Sequence, residues 1–220
     1  MSEGTVNISG NDSGIIANGD FVMNNGTLTA SSTGGSADTG VFVRGARSSV
    51  TIENGTINLT EARIAKGEEG VNSTGDVNIS GGNITLDNQA YIELSDSNTN
   101  DFTMTGGSLT ATSNGNSADT GIFVKGDGAD VNIQGGDINI TDSRIYKGND
   151  AATSGDINIS GGNITLNKNA YIEMRKENTG NVNMTGGKLV LNENSGLLLN
   201  TNDDQEIDGN AIKFIVIGDD

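Results

Sequence analysis

The chain contains no cysteine, no histidine, no proline and no tryptophan. Without cysteine there is no disulfide, and no thiolate to act as nucleophile or metal ligand. Without histidine the usual general base and the commonest transition-metal ligand are missing. Aromatic residues make up only 4%, and 12 Lys plus Arg stand against 29 Asp plus Glu, for a net charge of −17. That balance argues against nucleic acid, because phosphate binding needs an excess of Lys and Arg. It also argues against anionic membrane surfaces, while remaining compatible with cations, uncharged surfaces and high solubility. No run approaches the ~18 apolar residues of a membrane span. The N-terminal MSEGTVNISG carries no charged head followed by an apolar stretch, so no signal peptide is expected in this segment. Cysteine-free repeats rich in Asn, Thr and Gly fit a piece of a longer exported chain, so an extracellular or cell-surface location is expected.

What fills the sequence instead is repetition. VNISGGNITLDNQAYIEL at residues 77–94 returns as INISGGNITLNKNAYIEM at 157–174, with 13 of 18 letters identical. FVMNNGTLTASS at 21 matches FTMTGGSLTATS at 102, and EARIAKG at 61 matches DSRIYKG at 142. Within this long unit runs a shorter one, whose starts at Phe21, Val50, Val77, Phe102, Val131, Ile157 and Val182 are 25 to 29 residues apart. A truncated copy, VNISG, starts at Val6. Each short unit reads as three brief strands: V-N-I, then a Gly-Gly or Asn-Gly corner, then N-I-T-L, and after a few turn residues Y-I-E-L or V-F-V-R. Alternation over four or five residues is strand periodicity, and Gly and Asn supply corners with positive φ.

One such unit cannot bury its own apolar face, but a stack of them can. The expected fold is all-β: a right-handed parallel β-helix of about seven to eight coils. It would form a single domain over residues 1–220, with a truncated coil at 5–20, three-coil repeats at 21–101 and 102–181, and a last coil with a C-terminal cap at 182–220. Stacking turns equal positions into columns. Val50, Ile52, Val77, Ile79, Phe102, Met104 and their later equivalents point inward from the first strand. Leu28, Ile57, Leu59, Ile84, Leu86 and theirs do so from the second. Outward, Asn7, Asn78, Asn132, Asn158 and Asn183 share a column that can form an amide ladder.

The third strand carries the candidate binding face. Burying Arg63 or Arg144 would be costly, so Ile64 and Ile145 are set inward, together with Phe42, Ile92, Phe123, Ile172 and Leu198. That frame sends Val41, Val43, Ile122, Val124, Leu197 and Leu199 outward, beside Arg63, Tyr91, Glu93, Arg144, Tyr146, Tyr171 and Glu173. An exposed stripe of apolar, aromatic and charged groups marks an interaction surface. Arg63 would stack on Tyr91 and Arg144 on Tyr171. Tyr would then stack on sugar rings, with Arg and Glu bonding hydroxyls.

No pair of carboxylates facing one cleft breaks the repeat on a strand face, as glycoside hydrolysis requires, so no catalysis is expected. Oxygen-rich turns at Glu68, Glu69, Asn149 and Asp150 are the candidate calcium ligands, and Asp203, Asp204 and Asp208 crowd the C-terminal end. Two further readings compete with a carbohydrate or protein-binding adhesin module. Open coil ends are unpaired edges that can stack chain on chain into a surface filament, with AIKFIVIGDD (Ile212, Phe214, Val216) as cap or joint. A Thr column at Thr29, Thr85, Thr110 and Thr165 loosely resembles an ice-binding face, although Asn58, Asn139 and Val190 interrupt it.

GEEGVNSTGDVNISGGNITL at 67–86, SGIIANGDFVMNNGTLT at 13–29 and SGDINISGGNIT at 154–165 resemble the β-helical carbohydrate-binding-domain family. Its coils run G-D-D-G-I-x-x-x-G-D-V-x-I-x-G-G-x-I-x-V. The resemblance implies polysaccharide binding, often with calcium. Glu68-Glu69 and Asn149-Asp150 stand where that pattern has paired Asp. The repeats also look like passenger segments of surface adhesins.

Overall fold

The computed structural model describes residues 1–32, 38–68, 70–114, 119–149, 152–175 and 177–201. Three parallel sheets of eight, eight and seven strands run along one axis, and each strand pairs with its counterpart one coil on. The chain is therefore a parallel β-solenoid of about seven turns, as its periodicity requires. The first-strand sheet holds the three-residue strands from Phe21–Met23 to Val182–Met184, and the expected register of Phe21, Val50, Val77, Phe102, Val131, Ile157 and Val182 is the observed one.

Alternation sets which side chains fill the core. First strands such as Val77–Ile79 bury their two ends and leave the middle half-exposed, and second strands such as Thr56–Thr60 bury Ile57 and Leu59. The expected columns from these two strands form one continuous core along the axis. Each fully buried aliphatic contributes ~1.5–3 kcal/mol, which offsets the cost of ordering a chain with 33 glycines. The corner between first and second strands needs glycine for two reasons. Gly82 has φ +84, and a Cβ there would sit 2.9 Å from the carbonyl oxygen of Gly55 one coil away. The corner between second and third strands instead uses left-handed polar residues, as at Asn88 (φ 43) and Gln89 (φ 57).

The amide ladder is present: Asn183 Nδ2 donates to Asn158 Oδ1 at 3.0 Å, and Asn158 Nδ2 to Asn132 Oδ1 at 3.0 Å. Asn7 is not part of it. Thr5–Ser9 joins the second-strand sheet, pairing Asn7 with Thr29. VNISG is followed there by a corner with Asp12 at φ 54 and then by Gly14–Ala17 on the third-strand sheet, so it occupies the place of N-I-T-L rather than V-N-I. The Thr column lies in register as read, with Asn58, Asn139 and Val190 inside it.

One column was not anticipated. The residue just before each first strand passes a hydrogen bond along the axis: Asp76 Oδ1 accepts from the Asp101 N–H at 3.2 Å, Asp101 Oδ1 from Asp130 at 2.8 Å, and Asp130 Oδ1 from Asp156 at 2.7 Å. Burial, with Asp130 and Asp76 as charged neighbours, pushes the Asp101 carboxyl above its usual range.

Candidate functional site

The third-strand sheet departs from expectation by one residue in some coils. Gly40 pairs with Arg63, so Val41 lies beside Ile64 and Phe42 beside Ala65. Gly121 pairs in the same way with Tyr91 and Arg144. Val41, Val43, Ile122 and Val124 are therefore fully buried, and Leu197 joins the core. Phe42, Phe123 and Leu198 belong to the outward set. Because side chains alternate with period two, a slip of one residue exchanges the two faces of a strand. Steric fit fixes the frame: a Cβ on Gly40 would lie 1.9 Å from the carbonyl oxygen of Arg63. The outward positions then repeat every three coils as Gly, Arg, Tyr in one column and Phe, Ala or Tyr, Glu in the next.

The same alternation that turns Arg63 outward turns Lys66 and Lys147 inward, where both are fully buried. Lys66 Nζ donates to Ser73 Oγ at 2.5 Å and to the Gly45 carbonyl at 3.2 Å, and Lys147 Nζ to the Gly126 carbonyl at 2.8 Å. Burial lowers both ammonium groups, Lys147 to about 8.

On the outer face, the predicted Arg, Tyr and Glu side chains converge as a connected ladder rather than an exposed stripe: Arg63, Tyr91, Arg144 and Tyr171 are half-buried, and Glu93, Tyr146 and Glu173 are buried. Arg63 Nη1 donates to Tyr91 Oη at 3.1 Å and to Glu93 Oε2 at 3.0 Å, and its guanidinium lies 5.2 Å from the centre of the Phe42 ring and 5.8 Å from that of Tyr91. Glu93 also accepts from Lys125 Nζ at 2.6 Å. Burial opposes the charge on Arg63, but Tyr91, Glu93 and Asp38 outweigh it and hold its pKa above the ordinary value. Burial, reinforced by Glu93, raises Tyr91. Tyr91 meets Phe123 edge-on at 5.3 Å, and Phe123 meets Tyr146 at 5.6 Å. In the second repeat Arg144 Nη1 bonds Glu173 Oε2 at 2.5 Å. Its guanidinium lies 5.5 Å from the Tyr146 ring and 5.9 Å from Phe123, where stacking on Tyr171 was expected. Tyr171 stands beside Arg144 in register and is half-buried.

Within this ladder the first repeat holds a cleft of about 370 Å³. Phe42, Arg44, Arg63, Ala65, Gly67, Glu68, Glu93, Ser95, Asp96 and Lys125 line it. Among the described residues, two buried side-chain polar atoms have no hydrogen-bond partner, Arg63 Nε and Ser95 Oγ, and both belong to residues of this cleft. Sequence reasoning found Arg63, Glu93 and Glu68 but missed Phe42, Arg44, Ala65, Ser95, Asp96 and Lys125. The aligned strings RIAK and RIYK held the clue, since Ala65 stands where Tyr146 stands.

Of the four calcium candidates, the structure describes Glu68 and Asn149. Glu69 and Asp150 lie outside the described residues, as do Asp203, Asp204, Asp208 and the Ile212, Phe214, Val216 segment. Glu68 lies 4.0 Å from Arg44, and Asn149 turns its amide N–H toward the carbonyl of Lys125 at 3.0 Å. No group of three or more Asp or Glu among the described residues is placed to hold a metal ion.

Residues 1–91 match the model of a family described as "Carbohydrate-binding domain-containing protein". The match covers the coils that supply Phe42, Arg63 and Ala65 and stops at Tyr91, short of Glu93, Ser95 and Lys125. No curated protein and no solved structure matches the chain.

Proposed function

We propose that this chain is a non-catalytic carbohydrate-binding module of a surface-exposed protein, and that it takes saccharide at the cleft over Ala65. The cleft is the observation that carries this reading. It combines an aromatic wall, Phe42, with charged groups held in fixed geometry by the Arg63–Glu93–Lys125 chain. An apolar surface with a few convergent polar groups is the usual composition of a small-molecule site, and sugars present an apolar C–H face beside hydroxyl groups. The family match over residues 1–91 supports the same class of ligand. Arg63, Glu93 and Lys125 would bond hydroxyls, and Phe42 would pack the sugar's C–H face. Tyr91 supports Arg63 rather than offering a free ring of its own, because its hydroxyl and one neighbouring edge are already engaged.

A glycan array with the intact chain tests the proposal. Phe42→Ala is expected to weaken the best hit by about tenfold or more, a loss of ~1.4 kcal/mol, while the solenoid's circular dichroism stays unchanged. Equal binding by wild type and Phe42→Ala would remove this cleft from consideration. Tyr171→Ala is expected to leave binding intact, because Tyr171 lies outside the cleft.

A further inference from the structure

The two long repeats differ on the outer face in a coupled way. Ala65 and Ser95 of the first correspond to Tyr146 and Arg175 of the second. Both Ala65 and Tyr146 stand between a Phe and a Glu in register, Ala65 between Phe42 and Glu93, Tyr146 between Phe123 and Glu173. In the second repeat the Tyr146 ring packs at 5.6 Å from Phe123, with the Arg175 guanidinium 5.7 Å from its centre. Tyr146 is 7% exposed and Arg175 5%, so this pair fills its own rung. In the first repeat two small residues take those positions, and the cleft lies there. Thus the second repeat carries, as its own side chains, an occupant for the space that the first leaves open.

We infer that the cleft is a one-ring subsite, which takes a single neutral pyranose in the position of the Tyr146 ring, and that the Ala65–Ser95 pair opens it. The inference rests on the carbohydrate reading above and adds ligand size, charge and number of sites. Size follows from volume: about 370 Å³ lies at the small end of small-molecule sites, which run from ~300 to 1,000 Å³. That is room for one ring and its hydroxyls. Charge follows from pairing. Arg63 pairs with Glu93 and with Asp38, Lys125 pairs with Glu93, and Arg44 lies 4.0 Å from Glu68, so three cations face three carboxylates. No cationic surplus is left for an acidic sugar, and a chain of net charge −17 repels one. The two unpartnered buried atoms, Arg63 Nε and Ser95 Oγ, both belong to residues that line the cleft. Number follows from the repeat, since Tyr146 and Arg175 occupy the equivalent rung, leaving one such site among the described residues.

Titration by NMR and calorimetry, with the methyl pyranosides of glucose, galactose and mannose and with methyl glucuronide as the charged probe, tests this. The intact chain is expected to bind a neutral methyl pyranoside at one site, and the glucuronide more weakly. Ala65→Tyr/Ser95→Arg is expected to lose about tenfold or more in affinity. The reverse pair, Tyr146→Ala/Arg175→Ser, is expected to titrate with two sites. If saccharide binds but Ala65→Tyr/Ser95→Arg binds equally, or if only oligosaccharides or the glucuronide bind, the one-ring inference fails while carbohydrate binding stands. If neither these probes nor any glycan on the array binds, the carbohydrate reading itself fails.

Discussion

Lys147 stands in an inward column whose neighbouring coils carry Val124 and Met174, and whose earlier members include Val43 and Leu94. A seat has been cut for it: a Cβ on Gly155 would lie 2.8 Å from Lys147 Cε. Burial lowers its pKa to about 8, against ~10.4 for a free lysine. Between those two values the unfolded chain holds a proton that the folded chain has released, so stability rises with pH across that window. Below about 8 the folded protein bears the full cost of a buried ammonium group. Chemical-denaturation midpoints are therefore expected to increase from pH 7 to pH 10. Lys147→Met is expected to raise stability at pH 7 by about 1–2 kcal/mol and to flatten that rise; an unaltered pH profile would refute the assignment. Neither Lys147 nor Lys66 was anticipated from the sequence, although the alternation that sets Arg63 outward sets Lys66 inward three residues later. Ala65 and Ser95 escaped notice as well. An open site is made by what small residues leave vacant, and a motif search looks for the groups that are present.

At the scale of the strand, two faces competed for V-F-V-R, and hydrophobicity could not choose between them. V-N-I and N-I-T-L alternate apolar with polar residues and so announce their own frame, and in R-I-A-K the cost of burying Arg63 sets it. Val41-Phe42-Val43 is apolar throughout, and only contact with the next coil decides it. Gly40 and Gly121 make that decision, since each lies under the backbone of an arginine one coil away. Gly121 has φ +133, and a Cβ there would approach the Arg144 carbonyl oxygen to 1.9 Å. Gly121→Ala is expected to cost about 3 kcal/mol or more, seen as a large fall in melting temperature or failure to fold. The amide ladder is gentler. Asn158 both donates to Asn132 and accepts from Asn183, so Asn158→Ala should cost about 1–2 kcal/mol with the fold retained. A melting temperature equal to wild type would show that water replaces the ladder without loss. The ladder was legible in the sequence because one residue type recurs at one position. The aspartate column recurs as regularly, with Asp76, Asp101, Asp130 and Asp156 each just before a first strand, but stacked carboxylates repel where stacked amides pair, so the repeat alone does not announce a ladder.

For the whole rod, charge is the dominant long-range term. Carboxylates stacked coil above coil repel one another across distances shorter than a Debye length, ~10 Å at 0.1 M salt. Burial first, and then the neighbouring Asp130 and Asp76 carboxylates, raise the Asp101 carboxyl. A group whose folded pKa is raised favours the protonated folded state, so its destabilising effect at neutral pH is relieved as pH falls through its folded value. Added sodium chloride, from 10 to 500 mM, is expected to raise the melting temperature of the wild type. Asp101→Asn is expected to raise it at low salt and to reduce the salt response. A melting temperature insensitive to salt in both proteins would show that the stacked carboxylates carry little mutual repulsion.

The outward Gly, Arg, Tyr order comes back only after three coils, so the rod has a phase as well as a length. Adding or removing one whole long repeat would lengthen or shorten it by ~14 Å and leave every Arg still facing a Gly on one side and a Tyr on the other. Duplicating a single coil would bring like rungs together, setting Tyr against Tyr or Arg against Arg at the joint. Lineages of such rods should therefore grow in steps of three coils, and engineered versions should be cut at the same interval.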